Sequence, residues 1–466
     1  MAKDAKTLEK KPYQLFNLPW YYFAIFAVVV LAAAYLGVLP TGMAGCFAFM
    51  IVLGTILNEI GDHTPIIRSY LGGGAIVVIF GSALLDYFHL LPHLVKTLED
   101  GTKVYANFVK ADVVGNIGTF FKPTGAFLDF YIAALITGSI LGMNRKLLVK
   151  AAARYFPAIF GGLILSFALC SLVGAVTGFG WAKALLLIAL PIMGGGMGAG
   201  ATPLSKIFDS AGAMTAEEAL SVMTPAVAIG NAISIVIAGI VVKAITSKSW
   251  NGQGQLMQAG SIDPAELEIS PEMQAKRDKI DVTNLGIGLF VSCTFFAWGY
   301  IVAKGWSTLV PKVTIHAYAW MIITVAICKV TQIIPERIEI ACYQWFQFIM
   351  KNLTPTLLVG IGLCYLDIGK VINSFTIQYL IMCLVTCLGA FFGAAIVGKF
   401  VGFYPVESGL TAGLCMSNMG GTGDVAVLSA ANRMELMPFA QISSRLGGAI
   451  ILLLGSVMLS TMAQLL

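Results

Sequence analysis

YPVESGLTAGLCMSNMGGTGDVAVLSAANRMELMPFAQISSRLGGA, residues 404–449, sets glycine pairs, Asp424 and Arg445 inside an otherwise apolar run. A stretch so rich in Gly, Ser, Thr and Asn makes a poor lipid-facing helix, because it leaves backbone N–H and C=O groups free. At membrane depth such backbone is tolerated only when it is buried in protein or lines a wet cavity. Gly420, Gly421 and Gly423 also let the chain turn tightly and approach a ligand with no side chain in the way. The run predicts a substrate site held inside a membrane protein.

The bulk composition agrees. Hydrophobic residues make up 58% of the 466 and charged residues 11%, where a soluble chain carries about 25% charged; mean hydropathy is +0.85. The length accommodates about eleven spans of about 20 residues. In such a chain the net charge of +5 records topology through the positive-inside bias. Lipid is therefore the expected surroundings, and no nucleic-acid partner is expected. The nine cysteines are scattered singly through apolar segments with no CxxC pair, so they read as small buried hydrophobes, not as a disulfide framework or zinc site. The polar start MAKDAKTLEKKPYQ runs into an apolar span and then into more spans, which is unlike a cleaved signal peptide.

Read in order, the chain predicts an all-α polytopic membrane protein. Residues 1–19 form a lysine-rich cytoplasmic tail and 20–41 an extra first span. A first repeat of five spans covers 42–243 and contains a re-entrant hairpin at 181–208, broken at Pro191 and a glycine cluster. Residues 244–283 form a cytoplasmic linker whose charges read as a solvated surface. A second repeat covers 284–466, with its hairpin at 404–432. The loop at 92–125 can hold an interfacial helix, and the amphipathic segment 335–351 is expected to lie along the cytoplasmic surface before a span at 354–368. This arrangement places the larger share of Lys and Arg inside, Arg145, Lys146, Lys150 and Arg154 most clearly, with the N-terminus inside and the C-terminus outside.

The two halves match weakly at an offset of 224–225 residues. Gly195-Gly196-Met197-Gly198 falls on Gly420-Gly421-Thr422-Gly423, Gly138 on Gly362, and Tyr155 on Tyr379. Five spans is an odd number, so the halves insert with opposite orientation. Inverted repeats with interrupted helices in matching positions point to a secondary transporter with its site near the midplane.

Three stretches, GGGMGAGATPLS (194–205), AGLCMSNMGGTGDVAVLSA (412–430) and AQISSRLGGA (440–449), resemble the bacterial 2-hydroxycarboxylate transporters, carriers of citrate, malate and related anions. The resemblance extends in looser form from about residue 20 to the end. It implies a homodimer in the cytoplasmic membrane, each protomer having a dimerisation part and a mobile part that moves substrate by an elevator-like displacement. It implies substrate binding at Arg445, Gly195, Gly196, Gly198, Gly420 and Gly421, with Thr422 and Ser444 near substrate and cation. Asn418, Gly423, Asp424 and Ser443 are the candidate cation residues. Two positions depart from the family's sodium–citrate symporters: Met197 stands where they have asparagine and Met419 where they have arginine. With one cation and one amide absent, a smaller dicarboxylate such as malate, or a broader specificity, is favoured over citrate alone.

The residue chemistry runs the same way. An arginine inside a span costs about 2.5–3.5 kcal/mol and normally faces a cavity or a partner, and its planar fork suits a carboxylate; snorkelling to the interface is the alternative for Arg445. Asp424 is either a ligand for Na+ or H+ or a structural partner of Arg445. The glycine motifs present backbone N–H groups to an anion, or serve close helix packing. Asn231 and Pro225 read as helix-break features, and Glu407 as a solvated entrance residue. No enzyme site, cofactor or transition-metal site is expected, because no span pairs a nucleophile with a base. Symport with sodium or protons is expected; exchange of malate or citrate for lactate, and an anion channel, are the alternatives.

Overall fold

The computed structural model describes residues 12–65, 67, 74–98, 102–121, 126–143, 145, 152–258, 271–310, 315–366 and 368–466. A few side chains within those helices, including Arg154, Gly421, Thr422 and Arg445, lie outside that description. The chain is mostly helical. In order come α1 (Trp20–Tyr35), α2 (Met43–His63), α3 (Gly74–Tyr87), α4 (Val113–Phe121), α5 (Phe127–Leu141) and α6 (Ala152–Val176). A broken segment from Trp181 to Ser210 precedes α7 (Ala216–Ala244). Then follow α8 (Pro271–Asp278), α9 (Val282–Leu309), α10 (Ala317–Thr331), α11 (Glu336–Tyr365), α12 (Ile368–Ser374) and α13 (Ile377–Phe400). A second broken segment, Pro405 to Ala430, leads to α14 (Met437–Met462).

Seven of the described helices are long and apolar enough to cross a membrane, and α1, α3, α5 and α10 are shorter apolar helices. Their surfaces suit lipid. On α9 only 17% of the apolar window is buried, and Phe290, Ile301 and Leu309 stand in the open. A water-soluble protein would not tolerate a continuous apolar face of that kind. Helix starts follow local chemistry. Thr215 caps α7 through a capping box with Glu218, and the Asp281 carboxylate accepts from the Thr283 N–H to open α9.

The helices pack as two groups. α2, α3, α5, α9, α10 and α11 contact one another, whereas α6, α7, α13 and α14 gather around the two broken segments. α6 and α13 pack backbone to backbone, where a Cβ placed on Gly393 would lie 2.2 Å from the Gly161 carbonyl oxygen. Such backbone contact is how small residues join helices where the hydrophobic effect is absent.

Two expectations change and the loop at 92–125 gains detail. The segment 335–351 does not lie apart on a surface: it is the first half of the single helix α11, which buries Ile340, Ala341, Cys342, Trp345 and Ile349 against its neighbours. Pro355 sits mid-helix without ending it, so the amphipathic pattern reflects one face on α5 and α9. The loop at 92–125 holds a two-stranded ribbon, Leu94–Thr97 with Lys103–Tyr105, and α4, whose Val113, Ile117 and Phe121 are buried. The linker's charges are not all solvated: Lys248 and Lys276 are exposed, but Arg277 is buried. Linker residues 250–258 run along the start of the second broken segment: the Tyr404 N–H donates to the Leu256 carbonyl, and the Val406 N–H to that of Trp250, each at 2.9 Å. Residues 259–270, and Lys146 and Lys150 of the topology argument, lie outside the described residues.

Candidate functional site

Each broken segment is a pair of half-helices meeting at glycine. The first runs inward as Trp181–Ala184, a π-helical turn Leu185–Ala189 and Leu190–Ile192, then returns as the π-helical turn Met197–Ala201 and the helix Thr202–Ser210. The second runs in through Pro405–Ser408 and the π-helical turn Gly409–Leu414, and returns as Gly421–Ala430. The two segments run over 181–210 and 405–430, where re-entrant hairpins are expected at 181–208 and 404–432.

The two tips touch. Gly195 and Gly196 take φ of +73° and +110°, where a side chain is strained. Space forbids one as well: a Cβ on Gly195 would lie 2.6 Å from the Ser444 carbonyl oxygen, and one on Gly196 2.8 Å from that of Met419. The first tip therefore rests on α14 and on the second tip at backbone distance. Gly198 has more room, its nearest neighbour being Leu135 at 4.0 Å.

Behind the second tip lies a buried polar network. Asp424, in the first turn of Gly421–Ala430, has no exposed surface, and a helix N-terminus favours its charge. Its Oδ1 accepts from Asn418 Nδ2 at 3.0 Å, and its Oδ2 accepts from Ser444 Oγ at 2.6 Å. Asn418 Oδ1 in turn takes the Gly420 N–H at 2.6 Å. Asn231, on α7, takes the Met419 N–H at 3.0 Å. Asn231 is thus no mere helix-break feature: it is fully buried and holds the second tip. Only its mid-span amide signalled this in the sequence.

A cavity of about 1240 Å³ opens against this assembly. One wall carries Gly195, Met197, Gly198, Asn231, Met419, Gly420, Gly423, Asp424 and Ser444. Facing it, α5 and α11 contribute Tyr131, Leu135 and Thr354, with the Tyr131 hydroxyl 2.8 Å from Thr354 Oγ1. The cavity extends to Asn58, Asp62 and His63 at the end of α2. Most of the residues singled out in the sequence therefore share one wall. Ser443 does not join them: its hydroxyl lies 2.8 Å from that of buried Tyr155. The side chains of Thr422 and Arg445, and the surroundings of Gly421, lie outside the described residues, although Arg445 falls one residue after Ser444 on α14.

Glu407 is also corrected. It is wholly buried, not solvated, because the linker covers it. Its carboxylate accepts the Gly252 N–H at 2.8 Å and the Gly254 N–H at 3.2 Å, and Arg433 Nε stands 3.6 Å away. Arg433 also donates to Asn251 Oδ1 at 3.2 Å. The linker therefore straps both ends of the second hairpin, a contact with no motif in the sequence.

Among the described residues no three His, Cys, Asp or Glu side chains converge as a metal site. The donors around Asp424 are instead hard oxygens, from carboxylate, hydroxyl and amide, which suit an alkali cation or a proton and not a soft metal.

Comparison with known proteins agrees with this chemistry. The model of the 2-hydroxycarboxylate transporter family matches residues 15–457. The malate transporter MleP of Lactococcus lactis is 36% identical over 455 residues, spanning 97% of this chain and 99% of that protein. The citrate/sodium symporter of Salmonella typhimurium is 35% identical over 97% of this chain and 95% of its own. The citrate transporter CitP of Leuconostoc mesenteroides is 34% identical over 94% and 92%.

Proposed function

Since the chain belongs to the 2-hydroxycarboxylate transporter family, and is accordingly a multi-pass membrane transporter and not an enzyme, we propose that it moves 2-hydroxy dicarboxylates by secondary active transport, malate in preference to citrate. The observation that carries this reading is the meeting of two broken hairpins and α14 on one cavity wall around buried Asp424. Backbone N–H groups at the tips and Arg445 bind the carboxylates. Na+ or H+ is taken at Asp424, Asn418 and Ser444; relatives named citrate/sodium symporter support sodium.

Eleven spans then divide into an extra first helix and two inverted repeats, with the N-terminus cytoplasmic and the C-terminus outside the cytoplasmic membrane. Transport is elevator-like. The group built on α6, α7, α13, α14 and the hairpins slides against the group built on α2, α3, α5, α9, α10 and α11, which also joins two protomers. The cavity at the seam between the groups supports this division. A second reading, exchange of malate or citrate for lactate, is favoured by one observation: both Asp424 oxygens already accept a hydrogen bond, so the carboxylate can stay ionised without a cation.

Uptake of labelled malate and citrate into proteoliposomes, with sodium, pH and membrane potential varied independently, tests both readings. Accumulation driven by a cation gradient supports symport. Uptake only against internal lactate supports exchange, and downhill flux alone removes both.

A further inference from the structure

On the surface away from the substrate cavity, α7 and α13 enclose a groove of about 540 Å³ lined wholly by apolar side chains, Ile233, Val236, Ile240, Leu388 and Phe392 among them. The two helices run parallel. The Tyr379 hydroxyl reaches the Val222 carbonyl, and further along Cys387 Sγ reaches that of Gly230 at 3.5 Å. At 1.5 Å per residue, the lining from Ala232 to Ile245 covers about 20 Å, against about 15 Å for the hydrocarbon of one leaflet. On α7 the groove is therefore about as long as one leaflet is thick, and on α13 its lining, Leu384 to Phe392, covers about 12 Å.

The Ile245 end of the groove is basic. Continuing the same register, Lys243 on α7 and Lys399 on α13 arrive at one level, and both are exposed. Lys399 Nζ stands 5.2 Å from the centre of the Trp250 ring, an amphipathic side chain suited to the headgroup zone. No acidic residue occurs in 226–258 or 377–404, and the nearby Glu407 is buried beneath the linker. Along these two stretches the rim thus carries basic and no acidic side chains above the apolar slot.

We propose that this groove is a binding site for one anionic glycerophospholipid, an acyl chain lying between α7 and α13 and the phosphate held by Lys243 and Lys399 beside Trp250. The chain supplies area and the two lysines supply selectivity for charge, each near the surface being worth severalfold in affinity for an anionic lipid. A soluble phosphate offers only half of that complementarity.

Native mass spectrometry of the full-length protein in detergent, titrated with phosphatidylglycerol, phosphatidylcholine or the chain-free headgroup glycerophosphoglycerol, tests the site. One phosphatidylglycerol should be retained at least tenfold more tightly than phosphatidylcholine, and the headgroup alone should not compete. Lys243→Gln with Lys399→Gln, both at exposed positions, should abolish that preference while phosphatidylcholine binding persists. Ile240→Trp, which fills the groove from an exposed position, should weaken both lipids. Equal affinity for the two lipids, competition by the headgroup alone, an unchanged preference in the double variant, or unchanged binding in Ile240→Trp would each overturn the assignment.

Discussion

Ser444 binds Asp424 and supports Gly195 from one position on α14. Its hydroxyl donates to Asp424 Oδ2 at 2.6 Å, and its carbonyl oxygen fills the space that a Gly195 side chain would need. One helical residue thus registers both hairpin tips, one through its side chain and the other through its backbone. The next residue along is Arg445. A shift of α14 by one residue would misplace the carboxylate partner, the first tip and the arginine together.

Asp424→Asn tests the cation assignment. The variant keeps the shape but removes the charge, and charge-assisted hydrogen bonds are worth about 1.5–3 kcal/mol. The apparent affinity for the coupling ion should fall at least tenfold while the protein stays folded in the membrane. Sodium and pH titrations of uptake measure it; an unchanged cation dependence would place the coupling ion elsewhere.

Gly196→Ala should impair transport far more than insertion. Its φ of +110° and the Met419 carbonyl oxygen 2.8 Å from any Cβ impose strain of about 1–3 kcal/mol on the contact between tips. Gly286→Ala is the control, because it has open space around it and should transport normally. The matching glycine Gly421 is expected to behave like Gly196, and normal uptake by the Gly196→Ala, Gly421→Ala double variant would reduce both to packing glycines.

Arg445→Lys keeps a positive charge and loses the bidentate fork. Substrate affinity should drop about tenfold or more, measured as a rise in KM or as weaker competition. Equal affinity in Arg445→Lys and Arg445→Ala would remove this arginine from the binding site.

Glu407→Gln addresses the strap. Losing a buried charge that accepts two backbone N–H groups and faces Arg433 should cost about 1–3 kcal/mol. The second hairpin should then loosen first. Faster proteolysis within residues 246–258, together with reduced uptake, is the expected result; wild-type cleavage and uptake would make the strap incidental.

How much of this was legible in the sequence follows from where the physical signal lies. Glycine runs cannot serve as lipid-facing helix, so the two interrupted segments stand out in the sequence, and the fold brings Met197, Met419 and Asp424 from them to one wall. The role of Glu407 was not legible, because nothing local distinguishes a carboxylate covered by a distant loop from one in water. Nor was the continuity of α11, since the polar face of 336–351 resembles a surface helix until its partners on α5 and α9 are known. Asn231 lay between these cases: an amide mid-span must bond something, but only the fold shows that it holds the Met419 N–H. Tyr155 and Tyr379, one matched pair of the repeat, show a parallel in three dimensions. Each buried hydroxyl approaches a backbone carbonyl near the start of the helix that follows a hairpin, Phe439 on α14 and Val222 on α7 respectively. That reciprocity supports the proposed repeat beyond what a few identities in a glycine-rich chain could carry.

In the proposed function, substrate choice turns on Met197 and Met419, which both line the cavity beside the tips. Citrate brings a third carboxylate, and a buried charge without a partner costs several kcal/mol. Thioethers offer neither charge nor a hydrogen-bond donor. Malate brings two carboxylates, which Arg445 and the tip N–H groups can divide between them. Malate should therefore compete better than trivalent citrate, and protonated citrate better than the trianion. Met419→Arg supplies the missing cation next to Asn231, whose Oδ1 already fixes the backbone there, so the new side chain starts from an anchored position. Its affinity for citrate relative to malate should rise about tenfold, the worth of one charge-assisted hydrogen bond. Competition assays at pH 5.5 and 7.5 separate the species. Tighter binding of the citrate trianion than of malate by the natural sequence would mean that another cation faces the cavity, and that the methionines do not set the choice.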